Sequence, residues 1–215
     1  MNAPALKLSE RFTWADYRTW PDQERWELIG GEAIAMSPSP ASRHQKISMQ
    51  LTLGMGPFFK GHRCHLFYAP MDVRLSEEDV VQPDLLVVCH PERIKPTHIE
   101  GPPALAVEIL SPGSERHDRL VKRELYARFG IEEYWIVTPF PHLIEVFLLR
   151  DGLYACWKTF GKEDTLTSPT FPGLSVDLNA VFDFPLEEHE QAIFRVKEAR
   201  PPPSRSGAYS SSSTR

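Results

Sequence analysis

The sequence predicts an α/β (α+β) fold: a central mixed β-sheet flanked by helices, with an extra hairpin near the N-terminus. Three observations carry that expectation. Between Ser42 and Val137 the elements read helix, strand, strand, strand, helix, strand, the order of a layered α/β or α+β sandwich. Two short runs, around Asp84 and Glu108, are rich in Val, Leu and Ile and read as buried strands. Two longer segments instead repeat their apolar residues at three- and four-residue steps, the spacing of a helix face.

In chain order, the first element is a short helix between Thr13, a fitting N-cap, and Trp20, with Pro21 after it. Residues 25–36 read as a hairpin turning at Gly30-Gly31, since glycine supplies both positive-φ turn positions without a side-chain penalty. Ser42 is positioned to cap a helix reaching Phe58 or Phe59, with His44, Ile47, Leu51, Met55 and Phe58 on one stripe. Residues 65–75 read as a strand interrupted at Pro70. The Asp84 strand, a polar loop over 90–103 and the Glu108 strand follow. Ser114 caps a helix over 115–129 that ends at Gly130 and places Asp118, Lys122, Leu125 and Phe129 on one face. Residues 133–137 form a strand, and a hairpin turning at Asp151-Gly152 comes next. The expected organisation is an N-terminal tail (1–10), one domain (11–198, closing with an amphipathic helix over 186–200) and a low-complexity Pro- and Ser-rich tail (199–215).

Composition narrows the function. The 215 residues suffice for one sizeable core. A net charge of −5 argues against a surface that grips nucleic acid everywhere, and leaves a local site open. No apolar stretch approaches a membrane span, and the N-terminus lacks a continuous apolar signal region, so a cytoplasmic location is expected. Cys64, Cys89 and Cys156 are odd in number and widely spaced; they are expected as buried thiols, not as a disulfide frame or a zinc site.

Asp84 and Glu108 are the most informative pair. A carboxylate inside an apolar strand is costly to bury unless something compensates it. Two of them on strands that can pair suggest a shared hard cation such as Mg²⁺, which is held by one or two carboxylates and keeps several waters. Lys122 faces the core from the helix after the Glu108 strand and could add fixed positive charge where a phosphoryl transition state becomes more negative. Asp118 is its i, i+4 neighbour. Plainer readings stand beside these. Glu108 could pair with Lys122 or Arg123 structurally, Asp118 could offset the helix dipole, and His44 could be a satisfied core histidine. Tyr126 and Trp135 read as core.

The ordered series Glu27-Leu28-Ile29-Gly30-Gly31-Glu32, Met36-Ser37-Pro38-Ser39-Pro40 with His44, Pro83-Asp84, Val107-Glu108-Ile109-Leu110-Ser111-Pro112, Asp118 with Lys122 and Tyr126, and Glu133-Tyr134-Trp135-Ile136-Val137 resembles the Uma-two family of restriction-endonuclease-like proteins in the PD-(D/E)XK nuclease superfamily. The resemblance implies a restriction-endonuclease-like core and Mg²⁺-dependent hydrolysis of phosphodiester bonds in DNA, with Mn²⁺ able to substitute. It makes Asp84 and Glu108 metal ligands and catalytic residues, and Lys122 the catalytic lysine. Leu110 stands where the superfamily places its lysine, so Lys122 would serve from the following helix. The first core helix lacks the acid common in the superfamily. His44, or Glu27 or Glu32 from the hairpin, are the candidates to replace it, and Glu27, His44 and Asp118 are the expected supporting residues. A homodimer is compatible with cutting both strands of a duplex. The rival reading, motivated by Leu110 and the acidic charge, is a non-catalytic nucleic-acid- or protein-binding module on a nuclease scaffold. A hydrolase of small phosphorylated compounds has weaker support.

Overall fold

The computed structural model describes residues 10–21, 24–36, 41–185, 188 and 190–191. The chain divides into two compact units, residues 1–183 and 184–215. In the second unit only residues 184, 185, 188, 190 and 191 are described; the last three are helical, while the rest of the amphipathic helix expected over 186–200 and the tail over 199–215 lie outside the described residues, as does most of the N-terminal tail.

Helix α1 (Trp14–Tyr17) starts at the expected Thr13, whose N–H and hydroxyl both donate to Asp16 Oδ2. Strands β1 (Trp26–Ile29) and β2 (Glu32–Ala35) form the hairpin, with Gly30 and Gly31 at φ 55° and 80°. Helix α2 (Ser42–Phe59) differs from expectation in two details. Ala41 is its N-cap and Ser42 its first residue; and the buried stripe runs Ile47, Leu51, Met55, Phe59, a pure four-residue series that ends on Phe59 in place of Phe58.

The next two predicted strands each divide at a proline. Residues 65–75 become β3 (His65–Tyr68) and β4 (Val73–Arg74), separated by Pro70. Residues 80–88 become β5 (Val80–Val81) and β6 (Leu85–Val88), separated by Pro83 and Asp84. Proline has no N–H for a ladder, so at each point the chain leaves one sheet and enters another. After β7 (Ile99–Glu100), β8 (Leu105–Ile109) leads into a helical segment. Its turn His117–Lys122 is π-helical, and it continues as α3 (Arg123–Arg128) to Gly130 at φ 76°. Strands β9 (Glu133–Thr138), β10 (Leu143–Arg150) and β11 (Leu153–Gly161) follow, then β12 (Thr165–Thr167), β13 (Ser175–Asp177) and α4 (Leu178–Val181).

The main sheet has the order β11-β10-β9-β8-β6-β3. It is mixed: β8 and β9 run parallel, joined by the π/α3 crossover, and the other neighbours are antiparallel. The hairpin is not an isolated appendage. It belongs to a second sheet, β2-β1-β5-β4-β7. Helix α2 packs on β3, β8 and β13. Leu86, Val88, Ala106, Leu110, Leu125, Tyr126, Tyr134 and Ile136 share one buried cluster, which binds the π/α3 segment to the main sheet.

The cysteines overturn the expectation of three buried thiols. The β3–β6 register opposes His65 and Val88, so Cys64 and Cys89 stand opposite each other one step further on, and they are joined as a disulfide. Twenty-five residues separate them in sequence, and only the strand pairing brings them together. Cys156 is exposed on β11. Among the described residues no helix is long and apolar enough to cross a membrane.

Candidate active site

The site forms where the chain crosses between sheets. Register pairs Leu86 with Ala106 and Leu85 with Val107, so Asp84 and Glu108 are the next opposed residues. Beyond Leu85 the side chain of Asp84 continues the ladder: its Oδ2 accepts the Ile109 N–H at 2.7 Å. The same oxygen contacts His44 Nε2 at 3.1 Å, which ties the first turn of α2 to the site.

Lys122 is the hub. It is 3% exposed, and its Nζ lies 2.8 Å from Glu27 Oε1, 3.0 Å from Glu108 Oε1 and 3.5 Å from Asp118 Oδ1. Glu27 arrives from β1 in the second sheet and is 2% exposed, far from the solvated hairpin charge that its place near a tight turn suggests by default. Its Oε1 also accepts the Gln82 N–H at 3.0 Å. Burial alone would raise the Glu27 carboxyl. Lys122, His117 and the Gln82 N–H outweigh it and hold the group down at about 2. Glu108 moves the other way: burial, with Asp118, Asp84 and Glu27 nearby, raises it well above the carboxylate range despite Lys122. Asp118 is raised as well, mainly by burial. Lys122 is raised well above its ordinary value; burial opposes its charge, but the three carboxylates dominate. Glu27 and Lys122 thus favour their charged forms, while burial pushes the Glu108 carboxyl up.

Two contacts of the site do not follow from the sequence pattern. His117 Nε2 lies 3.4 Å from Glu27 Oε2, longer than a good hydrogen bond. At the ~3.6 residues per turn of an α-helix, His117 and Lys122 would sit about 140° apart around the axis. The i→i+5 bonding of a π turn, roughly 4.4 residues per turn, reduces that angle to about 50°. The π turn is therefore what lets both side chains reach Glu27, and no α-periodic stripe could group them. Tyr126, read as core, is indeed fully buried, yet its hydroxyl donates to Glu108 Oε1 at 2.6 Å. Its i, i+4 spacing from Lys122 was the available signal.

All the expected site residues, Asp84, Glu108, Lys122, Glu27, His44 and Asp118, line one cleft of about 1280 Å³ together with His117. Glu32 is exposed on β2 and does not line it. Leu110 is 5% exposed in the hydrophobic cluster, so the position where the resemblance expects a lysine is here a packing position. Among the described residues no group of three or more His, Cys, Asp or Glu is gathered to hold a metal ion, and the ammonium of Lys122 stands among Glu27, Glu108 and Asp118. Both Glu108 hydrogen bonds fall on Oε1 and both Asp84 contacts fall on Oδ2. Asp84 Oδ1 and Glu108 Oε2 accept nothing from the described residues. That donor set suits a hard cation that takes two carboxylate oxygens and keeps its remaining waters.

A family model, Uma2, described as "Putative restriction endonuclease", matches residues 14–179, a span that contains every residue of the site. The chain belongs to the Uma2 family. An uncharacterized protein of Synechocystis, slr1290, is 28% identical over 154 residues, covering 70% of this chain and 78% of that one. Among solved structures, a protein of Anabaena variabilis described as a putative nuclease belonging to DUF820 superposes with a TM-score of 0.64 at 17% identity, covering 80% of this chain and 97% of that one. At that identity the likeness speaks for the fold, and it bears out the restriction-endonuclease-like architecture read from the sequence. Uma2 membership likewise agrees with the motif series and with a nuclease-like function.

Proposed function

We propose that this Uma2 protein is a Mg²⁺-dependent endonuclease that hydrolyses phosphodiester bonds in DNA, with Asp84 and Glu108 as its metal ligands. The observation that carries the reading is Lys122 Nζ at 3.0 Å from Glu108 Oε1, on the strand position opposed to Asp84. A lysine remote from that pair would have favoured the non-catalytic binding module. A cleft of about 1280 Å³ also exceeds the needs of a small phosphorylated compound.

Once bound, the cation supplies Lewis acidity that polarises a phosphoryl oxygen and acidifies an attacking water. The protein's own groups do the rest. The Ile109 N–H and His44 hold Asp84 Oδ2, and Lys122 and Tyr126 hold Glu108 Oε1, so each carboxylate offers its second oxygen in a fixed direction. Glu27 and Asp118 fix the ammonium of Lys122 beside the pair, where positive charge favours the extra negative charge that builds as water adds to phosphorus and the bond to the leaving sugar oxygen breaks.

The test is incubation with plasmid and oligonucleotide DNA in Mg²⁺ or Mn²⁺, with Asp84→Asn and Glu108→Gln as controls. Cleavage by the wild type and its loss in both variants supports the proposal. A wild type that neither binds divalent cation nor cuts nucleic acid sinks it.

A further inference from the structure

We infer that the cleft accepts single-stranded nucleic acid, with an unpaired base stacked on Tyr68 beside the acidic centre. The inference rests on the nuclease reading and names the substrate form that this site takes.

Besides the acidic centre, the cleft is lined by Tyr68, 63% exposed, and by Met49 and Leu53 of α2, which are 52% and 61% exposed and one helical turn apart. Large apolar side chains gathered along one cavity at such exposure mark a contact surface. Tyr68 ends β3, the edge strand of the main sheet, and among the described residues no strand flanks it on the outer side. The Ala69 N–H donates to the Asp84 carbonyl at 2.9 Å, which fixes Tyr68 one residue from the backbone that carries the catalytic carboxylate.

Charge decides between single strand and duplex. Backbone recognition of a duplex draws on Lys and Arg that neutralise phosphates. Among the described residues the Lys and Arg lining this cleft are Arg25 and Lys122, and both are engaged: Arg25 donates twice to Gln82 Oε1 at 3.0 and 2.9 Å, and Lys122 faces three carboxylates. The whole chain carries a charge of −5. Stacking of an unpaired base on an aromatic ring needs no such cations and tolerates any sequence. An exposed tyrosine with two apolar neighbours meets that chemistry.

The test measures fluorescence anisotropy of the full chain with labelled oligothymidylate, oligouridylate and a blunt duplex of equal length, with Ca²⁺ in place of Mg²⁺. Both single strands, or one of them, bind more tightly than the duplex; a preference between the two identifies DNA or RNA. Tyr68→Ala weakens single-strand binding about 5- to 150-fold, the usual effect of losing one stacking platform, while Tyr68→Phe keeps it. The melting temperature stays the same, since the side chain is exposed. The inference is overturned if the duplex binds as tightly as the single strands, if Tyr68→Ala binds normally, or if Tyr68→Ala only breaks up self-association, which would make these apolar residues a contact with a second copy. A wild type that binds no nucleic acid in any form overturns the nuclease reading itself.

Discussion

Lys122→Met is the sharpest perturbation of this site. Methionine preserves most of the side-chain volume and removes the ammonium. Glu27, Glu108 and Asp118 would then share a space in which each is buried and none has its cation. Removing one partner of a buried ion pair costs about 3–5 kcal/mol. The Glu27 carboxyl gives a second measure. Its displacement from 4.5 to about 2 corresponds to roughly 3 kcal/mol of preference for the charged form, much of it supplied by Lys122. For a domain of this size such a loss lowers Tm by roughly 6–20 °C. Urea and thermal unfolding at neutral pH, in EDTA and in Mg²⁺, provide the assay. If Asp84 and Glu108 hold a cation as proposed, Mg²⁺ should restore part of the lost stability, since a divalent charge on Glu108 offsets part of the missing one. Adding Glu27→Gln to the variant should also restore part of it by removing an uncompensated acid. A loss below about 1 kcal/mol, the scale of a surface pair, would refute the assignment of Lys122 as the buried hub.

Further outcomes follow from the same geometry. Glu27 sits below its unfolded value of 4.5, so it contributes stability above that pH and loses it as pH falls towards 2; Glu27→Gln should flatten this acid limb by about 3 kcal/mol in pH-dependent urea titrations. Glu108 has the opposite sign. Its raised carboxyl favours the fold below 4.5 and costs stability as pH rises, so metal-free Glu108→Gln should be more stable than wild type at neutral pH, with the difference vanishing below 4.5. Tyr126→Phe should weaken Mn²⁺ binding measured by calorimetry, because Glu108 Oε1 loses its 2.6 Å donor. Reducing the Cys64–Cys89 disulfide should cost about 3–4 kcal/mol for a closed loop of 25 residues, read as a fall in the urea midpoint. Gly54→Ala should destabilise by about 1–3 kcal/mol, because a Cβ there would meet Val176 Cγ1 at 2.8 Å, and Val176→Ala should relieve it.

Periodicity and turn chemistry made most of the architecture legible. The Gly30-Gly31 and Asp151-Gly152 hairpins, α2 and the π/α3 segment occupy the expected stretches. What escaped was non-local. A proline within an apolar run shows that the strand breaks, but not that its halves join different sheets, as they do at Pro70 and Pro83. The cross-strand meeting of Cys64 and Cys89 depends on the β3–β6 register, which no spacing rule contains. Within the site, Asp84, Glu108 and Lys122 could be read from carboxylates in apolar strands and a lysine on a buried stripe. Glu27 could be named but not weighed, since a hairpin charge is solvated unless another element covers it. His117 stayed hidden because the π turn departs from the periodicity used to find helix faces.

The hairpin that delivers Glu27 changes what counts as the smallest working piece of this chain. A dissection guided by the main sheet alone would begin at α2 and discard β1 and β2 as decoration. Such a fragment would keep Asp84, Glu108 and Lys122 while losing the carboxylate 2.8 Å from the ammonium and the partner of His117. The ammonium would then lean on Glu108 more heavily, and the acid proposed to meet a cation would be occupied by a lysine. The two sheets thus act as a combination lock, and the centre reaches its working arrangement only when both have closed.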